Sequence, residues 1–131
     1  MKKRNGFTLI ELFIVVLIIA ILAAIAIPVI SKNMEKSKTG EVVSTLNLIR
    51  MAEKDYYLDS NPKTYTTDFS LLNIDNPNNV ASANRYFTYT IPTGNAVGFT
   101  ATATRKDGSY TGDWYTIDQN GTITSSGRFQ L

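Results

Sequence analysis

An unbroken apolar run from Leu12 to Ile30, 19 residues long, constrains this chain more than any other feature. Coiled as a helix, a run of that length matches the hydrocarbon thickness of a bilayer. It exceeds the apolar core of an ordinary secretory signal, although Lys2, Lys3 and Arg4 precede it as they would precede one. Ala24-Ile25-Ala26 has the form of a conventional cleavage site, but such a site belongs after the apolar core rather than within it. The leading basic residues favour a cytoplasmic N-terminus, with the remainder of the chain on the far side; Lys32, Lys36 and Lys38 weaken that asymmetry. One carboxylate, Glu11, stands at the start of the run. A charge carried into a bilayer costs at least a few kcal/mol, so it is expected to have a functional reason. The plain alternative is that Glu11 lies at the membrane edge and reaches water there.

Beyond Ser31 the composition changes but the helical signal continues. Val42, Leu46, Ile49, Ala52 and Tyr56 recur at spacings of three and four, and Val43 widens the stripe. Lys32, Glu35, Lys36, Lys38, Glu41, Arg50, Glu53 and Lys54 are expected to supply much of the polar face. Proline is absent between Pro28 and Pro62, so the simplest reading is one helix from about Phe7 to about Leu58, ended by Asp59-Ser60-Asn61-Pro62. Such a helix would run roughly 75–80 Å. Within it Pro28 removes a hydrogen bond and crowds the Ala24 carbonyl, so a kink is expected there; Gly40 is a second weak point. Ala20, Ala23, Ala24 and Ala26 would let another helix approach closely, or serve as plain membrane filler.

The remainder, from residue 59 to 131, reads as a connecting loop followed by an antiparallel sheet. Asp68 to Leu72 suggests a helical turn capped by Asp68. Tyr86–Ile91, Val97–Thr104, Trp114–Ile117 and Thr122–Thr124 read as four strands, with a turn at Gln119-Asn120-Gly121. The fold class is therefore α+β: a long N-terminal helix, apolar and then amphipathic, packed against about four strands. Neither part has enough apolar surface to be secure alone.

Composition excludes several functions. Histidine and cysteine are absent, so no disulfide, thiol nucleophile, zinc site or histidine-based triad can be built. The net charge of +2 is an effect of the first few residues: without Lys2, Lys3 and Arg4, ten basic side chains face eleven acidic ones. A nucleic-acid partner therefore has no support from charge. The aromatic residues leave a gap from Ile14 to Asp55, which argues for core packing rather than a continuous aromatic path. Asn120-Gly121-Thr122 fits the glycosylation acceptor pattern but better marks a hairpin turn.

The segment Gly6-Phe7-Thr8-Leu9-Ile10-Glu11 resembles the class III signal of type IV pilins and type II secretion pseudopilins. The resemblance is specific over residues 1 to about 30 and loose beyond. It implies that residues 1–6 are a leader removed by a prepilin peptidase between Gly6 and Phe7, and that the new Phe7 amine is methylated. Residues 7–30 would then be a transmembrane and filament-core helix, 31–58 its amphipathic half, and 59–131 the globular part. Glu11, fifth after the cut, would pair with the N-terminal amine of a neighbouring subunit, and Pro28 would help the helix kink or partly unwind in a filament. Thr8 is a candidate local hydrogen-bond partner of the helix or of Glu11. The implied function is that of a non-enzymatic structural subunit, assembled into a type IV pilus-like filament or, alternatively, a periplasmic pseudopilus. The implied partners are copies of itself, other pilins, the peptidase and an inner-membrane platform. Location would pass from inner membrane to surface or periplasm. No cofactor is expected; Asp107, Asp113, Asp118 and Asn120 offer oxygens for calcium, without a recognisable ligand spacing. A membrane-anchored binding domain that never polymerises is the third reading, and it would keep its leader.

Overall fold

The computed structural model describes residues 6–79 and 86–126. Lys2, Lys3 and Arg4 of the expected leader lie outside those residues, as do the end of the expected connecting loop and the last five positions. Among the described residues, one helix, α1 (Leu9–Asp59), is followed by a 3-10 turn at Phe69–Leu71 and four strands: β1 (Phe87–Gly94), β2 (Phe99–Arg105), β3 (Trp114–Asp118) and β4 (Ile123–Ser125). The helix runs without interruption through Pro28 and Gly40. The fold class expected from the sequence is the one found.

The chain divides into two compact units at Lys36/Ser37. In the first, every described residue from Gly6 to Met34 is exposed, including all of Leu12–Ile30. Among the described residues, none of this apolar rod is buried.

In the second unit the helix turns one face to a sheet of order β1-β2-β3-β4, antiparallel throughout. Alternation along the strands puts Phe87, Tyr89 and Ile91 of β1, Phe99, Ala101 and Ala103 of β2, and Tyr115 and Ile117 of β3 on the inner side. They form one cluster with Val42, Leu46, Ile49 and Ala52 of α1. Ala101 and Ala103, both completely buried, keep the middle of that face low. The opposite face is threonine-rich: Thr90, Thr102, Thr116 and Thr124 align in one row across all four strands. β-Branched side chains suit that pleated, half-exposed surface.

Two irregularities shape the sheet. Between Thr90 and Thr93, β1 takes three steps where β2 takes two, from Thr102 to Thr100, so the extra residue forms a bulge at Ile91-Pro92. Proline cannot donate to a ladder and is tolerated at such a place on an edge strand. The outer edge of β1 is then capped by a side chain. The Asn78 amide accepts from the Tyr89 N–H and donates to the Tyr89 carbonyl, both at 2.8 Å, as a neighbouring strand would.

Candidate functional site

The N-terminal end of α1 brings together the residues singled out in the sequence. Thr8 stands immediately before the helix and Glu11 in its first turn. The Thr8 N–H and hydroxyl both donate to Glu11 Oε2, at 2.9 and 2.8 Å, and the Glu11 N–H donates to the Thr8 hydroxyl at 3.3 Å. This is a capping box: two helix-end donors are satisfied reciprocally by the two side chains. The expected local partnership of Thr8 with Glu11 is thereby present. Glu11 is exposed, and both bonds from Thr8 fall on a single carboxylate oxygen. Phe7 is also exposed, at 77%. Pro28 lies within the helix, where the Ser31 hydroxyl three residues on donates to the Ile27 carbonyl at 3.0 Å.

The exposed rod between these residues is long and apolar enough to cross a membrane. A bare apolar surface of that extent marks a segment meant for lipid or for other protein.

The second unit holds the groups that tie the sheet to the helix. Arg50 Nε and Nη2 donate to the carbonyls of Gln119 and Asn120, both at 3.3 Å. The turn they hold is shaped by Asp118, whose carboxylate accepts from the N–H groups of Thr122 at 2.8 Å and Asn120 at 2.9 Å. Those backbone donors, Thr122 first, hold the Asp118 carboxyl below its usual range. Gly121 completes the turn at φ +90°, a conformation that favours glycine. Asp118 and Asn120 are thus engaged in a hairpin turn, and among the described residues no group of three acidic side chains gathers as a metal site would require. At the other end of the sheet, the Tyr86 ring has Lys38 Nζ at 4.3 Å and the Arg105 guanidinium at 4.9 Å from its centre. Arg105 is itself buried, its Nε donating to the Asp107 carbonyl at 3.0 Å.

Glu53 departs from its expected place. It is completely buried, not on the polar face. Oε2 accepts from the Thr66 N–H at 3.1 Å, while Oε1 is buried without a hydrogen-bond partner. Burial, opposed by the Thr66 N–H, pushes its carboxyl up to about 7. The spacing carried a signal of this: Glu53 follows Leu46 by seven residues and Ile49 by four, which places it within the apolar stripe.

A family profile described as a prokaryotic N-terminal methylation motif matches residues 1–27. The type IV wide pilus major component PilA4 of Thermus thermophilus is 36% identical over 111 residues, covering 78% of this chain and 84% of that protein. The type II secretion system core protein G of Klebsiella pneumoniae is 37% identical over 71 residues, 54% of this chain and 50% of that one. Against another relative the match spans only a quarter of the relative's length. Among solved structures, the non-core minor pilin PilV of Neisseria meningitidis superposes with a TM-score of 0.52 at 25% identity, covering 76% of this chain and 93% of that one.

Proposed function

The chain belongs to the type IV pilin and type II secretion pseudopilin family, and from that membership we propose that its processed form polymerises through its N-terminal helix into a type IV pilus-like surface filament. The observation that carries this reading is the bare apolar rod from Leu12 to Ile30 with a carboxylate fixed at its start. Before assembly the rod anchors a single-pass precursor in the inner membrane. A prepilin peptidase cuts between Gly6 and Phe7, and the freed Phe7 amine is methylated. The cut discards Lys2, Lys3 and Arg4 and retains the anchor. Gly6 presents no side chain to a narrow protease site.

Assembly then moves the rod from lipid into the packed helices of a filament, aided by a membrane platform. In that interior an unpaired carboxylate would cost several kcal/mol, and the ammonium of a neighbouring Phe7 offsets the cost. The capping box prepares Glu11 for that contact. Thr8 draws on Oε2 alone, so an ammonium arriving at Oε1 would leave the cap intact. Pro28, with no N–H to give, marks where the helix would loosen in the filament. No catalytic step is assigned, in keeping with relatives that are structural subunits, and neither metal nor cofactor is invoked.

The 37% identity to a type II secretion core protein supports a second reading, a pseudopilin forming a short periplasmic filament. Antibody labelling of intact cells distinguishes the two, since only the first predicts long labelled filaments at the surface. For either filament, Glu11→Ala is expected to leave membrane insertion intact and to reduce filament yield sharply. Normal filament yield from that variant would overturn the assembly role of Glu11.

A further inference from the structure

Glu53 holds one point of the segment that leaves the helix, and its surroundings define what a single proton does there. Thr66 is clamped on both sides of its backbone. Its N–H donates to Glu53 Oε2 at 3.1 Å. Its carbonyl lies against Gly94 so closely that a Cβ there would come within 2.4 Å of the oxygen. Next to it, the Tyr65 N–H donates to the Asn95 carbonyl at 3.0 Å. The Tyr65 ring stacks on Tyr57 of the helix at 4.5 Å and meets Phe99 of β2 at 5.2 Å. Glu53 is therefore the helix's hydrogen-bond hold on a segment that is also kept in place by the Tyr65–Tyr57 stack and by its docking on the sheet.

Among the described residues, no countercharge meets Glu53 in this site. From the helix and the following segment, Tyr57 and Tyr65 are the titratable groups in its neighbourhood, and a charge on Glu53 works against ionisation of Tyr65. Arg50, nearly a turn earlier, is committed to the carbonyls of Gln119 and Asn120. The sheet residues Phe99, Ala101 and Ile117 of the shared core carry no charge. Among the described residues, the buried cation of the sheet is Arg105, and it is turned to Tyr86, Phe87 and Asp107. The influences on the Glu53 carboxyl are burial and the Thr66 N–H. Protonated, Glu53 is a neutral acceptor for Thr66 with its second oxygen carrying the proton. Ionised, it is a charge in an apolar core that the Thr66 N–H compensates only in part, and letting water in relieves the rest.

We propose that Glu53 is a proton-operated latch: protonated, it holds the segment around Thr66 against the helix, and on giving its proton to solvent it releases that segment. The sheet and its own core stay closed in both states, because β1 to β3 are joined by their ladders and by side chains that do not include Glu53. The release is thus local opening rather than unfolding. The carboxyl, pushed up to about 7, places the change near neutrality.

Amide hydrogen exchange of the full chain in detergent micelles tests this, corrected for the intrinsic pH dependence of exchange. The Thr66 amide is expected to lose about tenfold in protection or more from pH 6 to pH 8, while the Ala101 amide of β2 keeps its own. Glu53→Gln, neutral at every pH and still able to accept from Thr66, is expected to keep Thr66 protection flat. A pH-independent Thr66 amide in the unaltered protein would overturn the latch, as would the same loss in Glu53→Gln. A carbon NMR titration of the unaltered protein, needing no variant, supplies an independent check. The Glu53 carboxyl should titrate near 7, and titration in the ordinary carboxylate range would equally end the proposal.

Discussion

Replacing Arg50 with alanine probes how a chain without cysteine holds its C-terminal hairpin to its helix. The guanidinium donates to two carbonyls of the β3–β4 turn, and a Cβ on Gly121 would lie 3.0 Å from its central carbon. Hydrogen bonds from a charged donor contribute about 1.5–3 kcal/mol each at best. Both bonds here are long, at 3.3 Å, and one is exposed to solvent. The pair together is therefore worth roughly 1–2 kcal/mol. Arginine and alanine differ little in helix propensity, so the loss comes from the contact and not from the helix. For a unit of this size, roughly 4–8 °C of melting temperature goes with each kcal/mol. Arg50→Ala should accordingly melt about 5–12 °C below the unaltered chain, followed by near-UV circular dichroism in detergent micelles. Arg50→Lys, which offers a point charge instead of a fork, should fall between the two. A melting temperature for Arg50→Ala within about 1 °C of the parent would refute the clasp and leave the turn to sheet pairing alone.

Gly94→Ala should cost roughly 1–3 kcal/mol in denaturant unfolding, because the clash is with the Thr66 backbone, which has no rotamer through which to escape; a neutral result would show that the two backbones are not closely docked. Global stability should fall as pH rises, since the folded Glu53 carboxyl sits near 7 rather than at its reference value of 4.5. The contribution is fully present below about pH 4.5 and is lost as pH passes 7, a change on the order of 2–3 kcal/mol. Glu53→Gln should remove that component of the pH profile, measured by denaturant unfolding at pH 5 and pH 8.

Periodic features of this fold are legible in the order of residues alone. The helix expected from about Phe7 to Leu58 is found at Leu9–Asp59, and the four strands fall within a few residues of their expected limits. Both depend on local repetition: a stripe at three- and four-residue spacing, and alternation of threonine with alanine or aromatic residues. The turn at Phe69–Leu71, with the Asp68 carboxylate accepting from the Ser70 N–H, follows from local capping chemistry in the same way. The features that sequence reasoning misses are non-local. Glu53 looks like a surface residue by type; its spacing from Leu46 and Ile49 hints at burial, but its partner Thr66, thirteen positions on, is not encoded there. The Arg50 clasp reaches across about seventy positions, and the Asn78 cap on Tyr89 across eleven. Such contacts join residues whose proximity no spacing encodes. The N-terminal site is the intermediate case. Thr8 and Glu11 stand at capping-box spacing, so their mutual bonds are within reach of sequence reasoning.

Whether this chain is a processed filament subunit is decided by intact-mass measurement of protein sheared from the cell surface. The expected chain lacks Met1 to Gly6 and carries one added methyl group on Phe7. Recovery of the chain only from membranes, with residues 1–6 still attached, would contradict it.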